Sequence, residues 1–210
     1  MSKRLAIIGA GDLGRQIAHY AISDKQYDEV VFFDDFIIDK EVSGHKIIGT
    51  IQEVEKAFLD KKFDELLLGI GYKHLDVRKE LFDFFNCKIP FGKLIHSSCW
   101  IDKTAKIGEG VVIYPNCCID AYSIIDSNSI LNISCSISHN TNIGKHCFLS
   151  PRVAIAGFVS VEEKCIIGIN ATIIDNINVI SKTQIGAGTV VIKNIVKKGL
   201  YVGNPAKFIR

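Results

Sequence analysis

The sequence carries almost no net charge. Lysine and arginine outnumber aspartate and glutamate by only two, 25 against 23, over 210 residues. Proteins that bind nucleic acid or acidic membrane surfaces present a clear excess of basic side chains, so this balance argues against both kinds of partner. No apolar run approaches the roughly 20 residues that span a bilayer, and the first residues show no signal-peptide cleavage pattern. The sequence therefore predicts a cytoplasmic protein with no nucleic-acid or membrane partner.

An aliphatic residue recurs every six positions over the second half of the chain, without an insertion. The series is Ile95, Ile101, Ile107, Ile113, Ile119, Ile125, Leu131, Ile137, Ile143, Leu149, Ile155, Val161, Ile167, Ile173, Val179, Ile185 and Val191. A helix repeats near 3.6 residues and a strand near 2, whereas six is the period of a parallel β-helix built from hexapeptides. Three hexapeptides make one coil of 18 residues, so residues 95–195 predict about five to six coils, on the order of 27 Å tall.

The seven cysteines do not have the spacing of a metal site, since the chain contains no C-x-x-C pair. Five of them stand four residues after a rung of the aliphatic ladder, where most other repeats carry Ala, Val, Ser or Thr. They are Cys99, Cys117, Cys135, Cys147 and Cys165. We therefore predict that these thiols point into the β-helix as compact hydrophobes, reduced and without metal.

The N-terminal segment predicts a strand, a glycine turn, a helix and a second strand. Residues 3–9 are an apolar strand that leads into Gly9–Gly14, with the spacing G-x-G-x-x-G, and a helix is predicted over about 12–23. The second strand, 30–33, ends in Asp34-Asp35. This order is typical of dinucleotide-binding units, in which turn amides and a helix N-terminus hold phosphate and an acid meets a ribose hydroxyl. The alternative is that the glycines only form a tight turn.

The rest of this segment completes a small α/β domain. Helices are predicted at 51–60 and about 74–85, and a strand at 65–70 leads into Gly71. About 90 residues are half of a full dinucleotide-binding domain, so we expect a single nucleotide or a nucleotide sugar as ligand. The predicted domains are a Rossmann-like α/β half-domain over 1–93 and an all-β β-helix over 94–210, with a closing segment at its C-terminus.

One histidine of the β-helix stands at a distinctive place. His139 follows rung Ile137 by two residues, and one coil later the same position is Gly157. An imidazole beside a bare backbone amide suits acyl transfer, because the histidine can remove a proton from a nucleophile while the amide stabilises an oxyanion. Ile169 and Ala187 share this repeat position and are also one coil apart. An inert surface histidine is the alternative.

The whole chain resembles the bacterial sugar acetyltransferases related to sialic-acid O-acetyltransferase. The residues that carry the resemblance are Gly9–Gly14, Phe33-Asp34-Asp35, Gly69-Ile70-Gly71, Ile130–Asn132, Ser138-His139, Ala156-Gly157 and Val202–Lys207. The resemblance implies a small nucleotide-binding α/β domain followed by a left-handed β-helix. It also implies homotrimers that use acetyl-CoA as co-substrate, without a metal.

The resemblance assigns roles to particular residues of this chain. It implies that His139 is the general base, that the Gly157 amide holds the thioester carbonyl, and that Asn132 lines the acceptor pocket. The expected contacts of acetyl-CoA are Gly157, Ile169, Ala187 and Lys207. The expected contacts of the nucleotide are Gly11, Asp12, Leu13, Gly14, Asp34, Asp35 and Gly71.

One position departs from the family pattern. The family usually places an acid directly after the catalytic histidine, where this chain has Asn140. An amide can orient an imidazole, but it cannot stabilise the positively charged ring as a carboxylate does. An amine acceptor needs less of this help, because its proton can leave after the attack.

Several functions are compatible with these observations. The favoured one is acetyl-CoA-dependent N-acetylation of a nucleotide-linked 4-amino-4,6-dideoxy sugar, for a cell-surface glycan. The enzyme alternative is O-acetylation of sialic acid or a related sugar, and the non-catalytic alternative is nucleotide-sugar binding or scaffolding. Metal hydration chemistry would need three histidine ligands, whereas the ladder offers only His96, His139 and His146 and no H-x-x-x-x-H pair.

The oligomeric state is a direct test of the resemblance. Because the family forms trimers along the β-helix, light scattering should give about three times the chain mass of 23.2 kDa. A monomer at the concentrations used for assay would contradict the trimer.

Overall fold

The computed structural model describes residues 3–210, which form two compact units. The first ends at Leu94 and the second is Ile95–Arg210; the sequence predicted the boundary one residue earlier. Among the described residues, no helix is long and apolar enough to cross a membrane.

The first unit is an α/β layer structure around a five-stranded sheet. Its elements are β1 (Arg4–Ile8), α1 (Asp12–Ser23), β2 (Glu29–Phe33), β3 (Glu41–Val42), β4 (His45–Gly49), a 3₁₀ turn (Ile51–Glu53), α2 (Val54–Leu59), β5 (Glu65–Leu68), a 3₁₀ turn (Tyr72–His74) and α3 (Leu75–Phe85). The strand order is β3-β4-β2-β1-β5, with parallel pairing except between β3 and β4. Helix α1 begins and ends where the sequence predicted, whereas β3 and β4 were not predicted.

Small residues bring α1 against the sheet. Of the apolar residues Leu13, Ile17 and Tyr20, only Ile17 is buried, and the other two are half-buried. The buried positions of α1 are Gly14, Ile17, Ala18 and Ala21. Three of these four side chains are smaller than a valine, so the helix axis can lie close to β1, whose residues from Leu5 to Ile8 are at most 1 % exposed. This close approach fixes the loop that joins β1 to α1.

The second unit is a continuous left-handed β-helix without a looped-out insertion, which confirms the predicted fold. Its short strands recur every six residues: Leu94–Ile95 (β6), Trp100–Ile101 (β7), Lys106–Ile107 (β8), Val112–Ile113 (β9), Cys118–Ile119 (β10), Ile124–Ile125 (β11), Ile130–Leu131 (β12), Ser136–Ile137 (β13), Asn142–Ile143 (β14), Phe148–Leu149 (β15), Ala154–Ile155 (β16), Ser160–Val161 (β17), Ile166–Ile167 (β18), Thr172–Ile173 (β19), Asn178–Val179 (β20), Gln184–Ile185 (β21) and Val190–Val191 (β22). A terminal hairpin follows, β23 (Leu200–Val202) and β24 (Lys207–Phe208).

These strands stack into three flat parallel sheets. Each strand pairs with the one three hexapeptides later, as Ile119 pairs with Ile137 and Ile137 with Ile155. Every rung of the ladder from Ile113 to Val191 is at most 2 % exposed. The first three rungs are half-buried because they belong to the first coil of the stack. Burial of the ladder is therefore the main apolar contribution to this unit.

The corners of the coils are left-handed. From Asn116 to Lys182, the residue three positions after each rung has a positive φ between 55° and 61°, and Gly110 and Gly188 extend the series at its two ends. This conformation is unfavourable for most L-residues and is best tolerated by glycine and asparagine. Five of the twelve non-glycine corners are asparagines, namely Asn116, Asn128, Asn140, Asn170 and Asn176.

The interior thiols donate hydrogen bonds as well as filling space. Cys117 Sγ lies 3.0 Å from the carbonyl oxygen of Asn132, and Cys147 Sγ lies 3.1 Å from that of Glu162. Each interior cysteine from Cys99 to Cys165 bonds the carbonyl 15 residues later, and so do Ser123, Ser129 and Thr141. The prediction that these five thiols face the interior is confirmed, but the description of them as compact hydrophobes is incomplete, because they satisfy corner carbonyls.

This packing suppresses the reactivity of two of the thiols, Cys117 and Cys147. The hydrogen bond with the Cys135 thiol, together with burial, raises the pKa of Cys117 to about 12. Burial raises the pKa of Cys147 well above its ordinary value. Only the thiolate is a good nucleophile, so both side chains should be unreactive near pH 8.

We expect a thiol reagent to distinguish the cysteines of the native protein. Cys87 and Cys118 are exposed and should react fast, Cys99 is half-buried and should react more slowly, and the other four should react only in denaturant. The measurement is a time course with a chromogenic disulfide at pH 8, with Cys118→Ser as the control that removes one fast equivalent. Fast reaction of four or more thiols would contradict the described packing.

Candidate functional site

The imidazole of His139 lies directly against Gly157, one coil later. A Cβ placed on Gly157 would come within 2.7 Å of His139 Cε1 and 2.9 Å of Nε2. Real Cβ atoms do not approach other atoms so closely, so any other residue at 157 would displace the ring. The stacking of these two positions follows from the 18-residue coil, and the sequence analysis predicted it.

Asn140 contacts the other side of the same ring. Its Oδ1 lies 3.1 Å from His139 Nδ1. The amide oxygen can only accept, so in the neutral imidazole this bond places the proton on Nδ1 and leaves the lone pair on Nε2. Asn140 is also a left-handed corner, with φ of 58°, which gives a conformational reason for an asparagine at this position. The pair therefore presents an exposed, oriented imidazole with Nε2 as the basic atom.

Gly157 is itself buried beneath the ring. Among the hydrogen bonds described for residues 3–210, none uses its N–H, whereas its carbonyl oxygen accepts the Asn176 N–H at 3.1 Å. The oxyanion role of the Gly157 amide stays a prediction.

The other predicted residues of the β-helix lie at three separate places. Asn132 is half-buried, and its Nδ2 donates to the Leu149 carbonyl at 3.1 Å. Ile169 and Ala187 are exposed at adjacent coils of one corner, where the Ile169 carbonyl accepts the Gly188 N–H. Lys207 is exposed on the terminal hairpin. No described hydrogen bond joins any of these four side chains to His139.

Three glycines of the first unit meet at the carboxyl ends of β1 and β5. A Cβ on Gly14 would lie 1.9 Å from the Gly9 carbonyl oxygen, and one on Gly69 would lie 2.4 Å from the same atom. Gly9 itself has a φ of +97°, which other residues rarely adopt. These glycines are required by the packing of helix α1 and β5 against the β1 turn, so Gly14 has a structural role here.

Two further glycines have no such explanation. Cβ atoms built on Gly11 and Gly71 would meet nothing within 4 Å, and neither glycine has a positive φ. Gly11 directly precedes helix α1, and Gly71 directly precedes the 3₁₀ turn that leads to α3. The space in front of both residues is open, as it is where a backbone approaches a phosphate at a helix N-terminus. Asp12 is also exposed here and pairs with Arg15.

The two acids after β2 hold the neighbouring loops. Asp34 Oδ2 accepts the Ala10 N–H at 2.8 Å, and its Oδ1 accepts the N–H groups of Phe36 and Ile37. Asp35 Oδ1 accepts the Ile51 N–H at 2.8 Å. Both oxygens of Asp34 are therefore occupied, whereas Oδ2 of Asp35 has no hydrogen bond described. Of the two acids, Asp35 is better placed to bind a ligand.

A cavity of about 370 Å³ opens beside these acids. Its lining is mainly apolar and comprises Ile8, Gly9, Phe33, Asp34, Asp35, Phe36, Ile51, Ile70, His74 and Val77. The structure thus brings Asp34 and Asp35 into one pocket, while Gly11, Asp12, Leu13, Gly14 and Gly71 are outside its lining. Sequence reasoning missed Phe36 and Ile51 in particular. Phe36 directly follows the two predicted acids, and this position was the sequence signal that it could line the same pocket.

The loop after β5 is held from inside. Arg78 on α3 is 1 % exposed, and its Nη1 donates to the carbonyl oxygens of Leu68 and Ile70. This contact fixes the segment that ends in Gly71.

Among residues 3–210, no group of three or more His, Cys, Asp or Glu side chains is arranged to hold a metal ion.

Comparison with known proteins gives matches over both units. Residues 4–85 match the family model of the PglD N-terminal domain. No curated protein sequence matches the chain. Among solved structures, the acetyltransferase domain of PglB from Neisseria gonorrhoeae FA1090 is similar with a TM-score of 0.92 and 27 % identity, over 99 % of this chain and 100 % of that one.

Two similar structures were solved with ligands. The same PglB domain in complex with acetyl coenzyme A has a TM-score of 0.92 and 26 % identity, over 100 % of both chains. PerB from Caulobacter crescentus, in complex with CoA and GDP-perosamine, has a TM-score of 0.86 and 25 % identity, over 98 % of this chain and 97 % of that one. The order of the two units is therefore the same in all three.

The two kinds of glycine can be separated by substitution. Gly14→Ala should lower the free energy of unfolding by about 1–3 kcal/mol, because the clash with the Gly9 carbonyl exceeds the gain in helix propensity. Gly11→Ser should leave stability unchanged or raise it slightly, because serine caps a helix well and its Cβ has room. If Gly11 contacts the nucleotide as the sequence predicts, the same serine should also weaken nucleotide-sugar binding.

Thermal unfolding and calorimetric titration measure the two effects. Gly44→Ala serves as a loop control distant in sequence from both glycines. Equal loss of stability in the Gly14 and Gly11 variants would refute the distinction between them.

Proposed function

We propose that this chain, which belongs to the bacterial sugar acetyltransferase family with the hexapeptide-repeat fold, is an acetyl-CoA-dependent N-acetyltransferase of a nucleotide-linked 4-amino-4,6-dideoxy sugar. The observation that carries the proposal is the imidazole of His139, seated on Gly157 with Nδ1 at 3.1 Å from Asn140 Oδ1. A histidine held in this tautomer is an oriented base. Similarity to a PglB domain bound to acetyl coenzyme A and to PerB bound to CoA and GDP-perosamine supports the choice of substrates.

His139 would act as the general base of the transfer. The acceptor nitrogen attacks the thioester carbon, a C–N bond forms, and Nε2 takes the proton that the nitrogen loses. The C–S bond then breaks, and the coenzyme leaves as a thiol with the proton returned from the imidazole. The atoms balance without a metal, an oxidant or a covalent enzyme intermediate.

The Gly157 amide would stabilise the negative charge on the thioester oxygen. Because Gly157 has no side chain, the imidazole of His139 can lie directly against its backbone. The backbone at Ile169 and Ala187 would contact the coenzyme arm, and Lys207 would meet its phosphates as a point charge.

The pocket of the first unit would bind the nucleotide part of the acceptor, the nucleotide-linked amino sugar. Outside the pocket lining, the open helix N-terminus at the Gly11 backbone suits a diphosphate, and inside it the unoccupied Oδ2 of Asp35 suits a ribose hydroxyl. The apolar lining suits a nucleobase. Asn132 would line the acceptor side near the base.

Asn140 favours an amine over a hydroxyl acceptor. The amide fixes the ring but adds no negative charge, so it does not stabilise an imidazolium. An attacking amine can lose its proton after the C–N bond has begun to form, whereas a hydroxyl needs the base during the attack. N-acetylation is therefore favoured over O-acetylation of a sialic acid.

The proposal is tested by kinetics on variants of the site. His139→Ala should lower kcat by about 10²–10⁴-fold while both substrates still bind, because general-base assistance typically contributes a factor of that size. Asn140→Ala should cost much less. The measurement is release of free thiol from acetyl-CoA with a panel of nucleotide amino sugars and, as hydroxyl acceptor, sialic acid.

Asp35→Ala is the matched control for binding. It should raise the KM of the nucleotide sugar and leave that of acetyl-CoA nearly unchanged. Full activity of His139→Ala would eliminate the histidine as base, and thiol release with sialic acid alone would establish O-acetylation instead.

A further inference from the structure

Phe158 occupies a corner that does not suit a bulky side chain. Its φ is 58°, in the left-handed region that favours glycine and asparagine. The residue is 56 % exposed, so burial in the β-helix does not account for it. Asn140 and Asn176 occupy the equivalent corner one coil earlier and one coil later, each with a smaller polar side chain.

The contact that Phe158 does make is with His139. The two ring centroids are 5.2 Å apart and the ring planes are inclined by 84°, which is edge-to-face geometry. The Phe158 N–H also donates to the His139 carbonyl at 3.2 Å. The imidazole is therefore held on three sides, by the backbone of Gly157, the amide oxygen of Asn140 and the ring of Phe158.

We propose that Phe158 is a positioning residue that holds the His139 imidazole in its reactive orientation. An exposed histidine with one neutral hydrogen bond would otherwise rotate about its side-chain bonds, and misplacing a base by a fraction of an ångström slows proton transfer. The aromatic contact restricts this rotation without adding charge. It supplies part of the orienting effect that a carboxylate at position 140 would give. The proposal rests on the proposed function, since it concerns the same base.

Phe158→Asn removes the ring without endangering the fold. Asparagine already occupies five of these corners, so the variant should be at least as stable as the native protein. We expect kcat to fall by roughly 3- to 10-fold, the factor that corresponds to the loss of one edge-to-face aromatic contact, with little change in either KM. Phe158→Tyr keeps the ring and should restore kcat.

Tyr122→Asn is the matched control. Tyr122 stands at the same corner two coils before Phe158, with φ of 59°, and is 66 % exposed. It has no ring contact with His139 described, so its replacement tests the loss of an aromatic corner by itself. Its kcat should stay within about twofold of the native value, which is below the effect of one aromatic contact.

A second readout does not require activity. The ring current of Phe158 shifts the proton resonances of the His139 ring, which His139→Ala assigns by their disappearance. These resonances should move in Phe158→Asn and stay in place in Tyr122→Asn. If native protein transfers no acetyl group to any acceptor, the proposed function fails, and the resonances still decide whether Phe158 holds the ring.

The outcomes are distinct. A fall in kcat together with shifted His139 resonances, both reversed in Phe158→Tyr, supports the positioning role. Unshifted resonances, or equal losses of kcat in Phe158→Asn and Tyr122→Asn, would overturn it.

Discussion

The backbone hydrogen bonds between successive coils of the β-helix determine everything else in the second unit. Neighbouring coils are hydrogen-bonded in strict parallel register: the Ser138 N–H donates to the Ile155 carbonyl of the next coil, and the Asn140 N–H donates to the Ala121 carbonyl of the preceding coil. Residues 18 positions apart are therefore stacked, whatever their side chains. This constraint seats the imidazole of His139 on Gly157, and it also aligns the interior thiols and hydroxyls with the carbonyls of the following coil. The stacking at the candidate site follows from the same register that the aliphatic ladder imposes along the whole unit.

The register was predictable from sequence because burial leaves no alternative. A slip of one residue would turn other side chains into the positions of the rungs, which are at most 2 % exposed from Ile113 to Val191, so the apolar period fixes which residues face inward. Stacking of His139 on Gly157 follows by counting. The left-handed corners and the thiol hydrogen bonds were not predicted, since both depend on backbone conformation rather than on polarity. The asparagines that recur at five of the corners were a sequence signal of the left-handed conformation. The contact of Phe158 with His139 depends on two side-chain rotamers, which no periodicity reports.

The first unit was less predictable, for a physical reason. Helix α1 and the strands beside it follow local patterns, and they agree with the structure to within a few residues. Strands β3 and β4 and the pocket lining depend on contacts between segments distant in sequence, such as Asp35 with the Ile51 N–H. The glycines of the G-x-G-x-x-G motif have two different roles, and their spacing does not distinguish these roles. Gly14 is needed for packing, whereas Gly11 faces open space. Only the distances around each missing Cβ distinguish them.

The 18-residue coil also limits how such a chain can change in length during evolution. Adding one hexapeptide between His139 and Gly157 would preserve the apolar ladder and keep the core filled. It would, however, move Pro151 from 12 to 18 residues after His139, so that Pro151 and not Gly157 would stack on the histidine. The imidazole would then meet a proline, whose backbone nitrogen carries no hydrogen. A whole coil added elsewhere in the stack would leave the pair intact. Insertions and deletions in the active coils are thus tolerated by the fold in steps of six residues, but by the chemistry only in steps of 18.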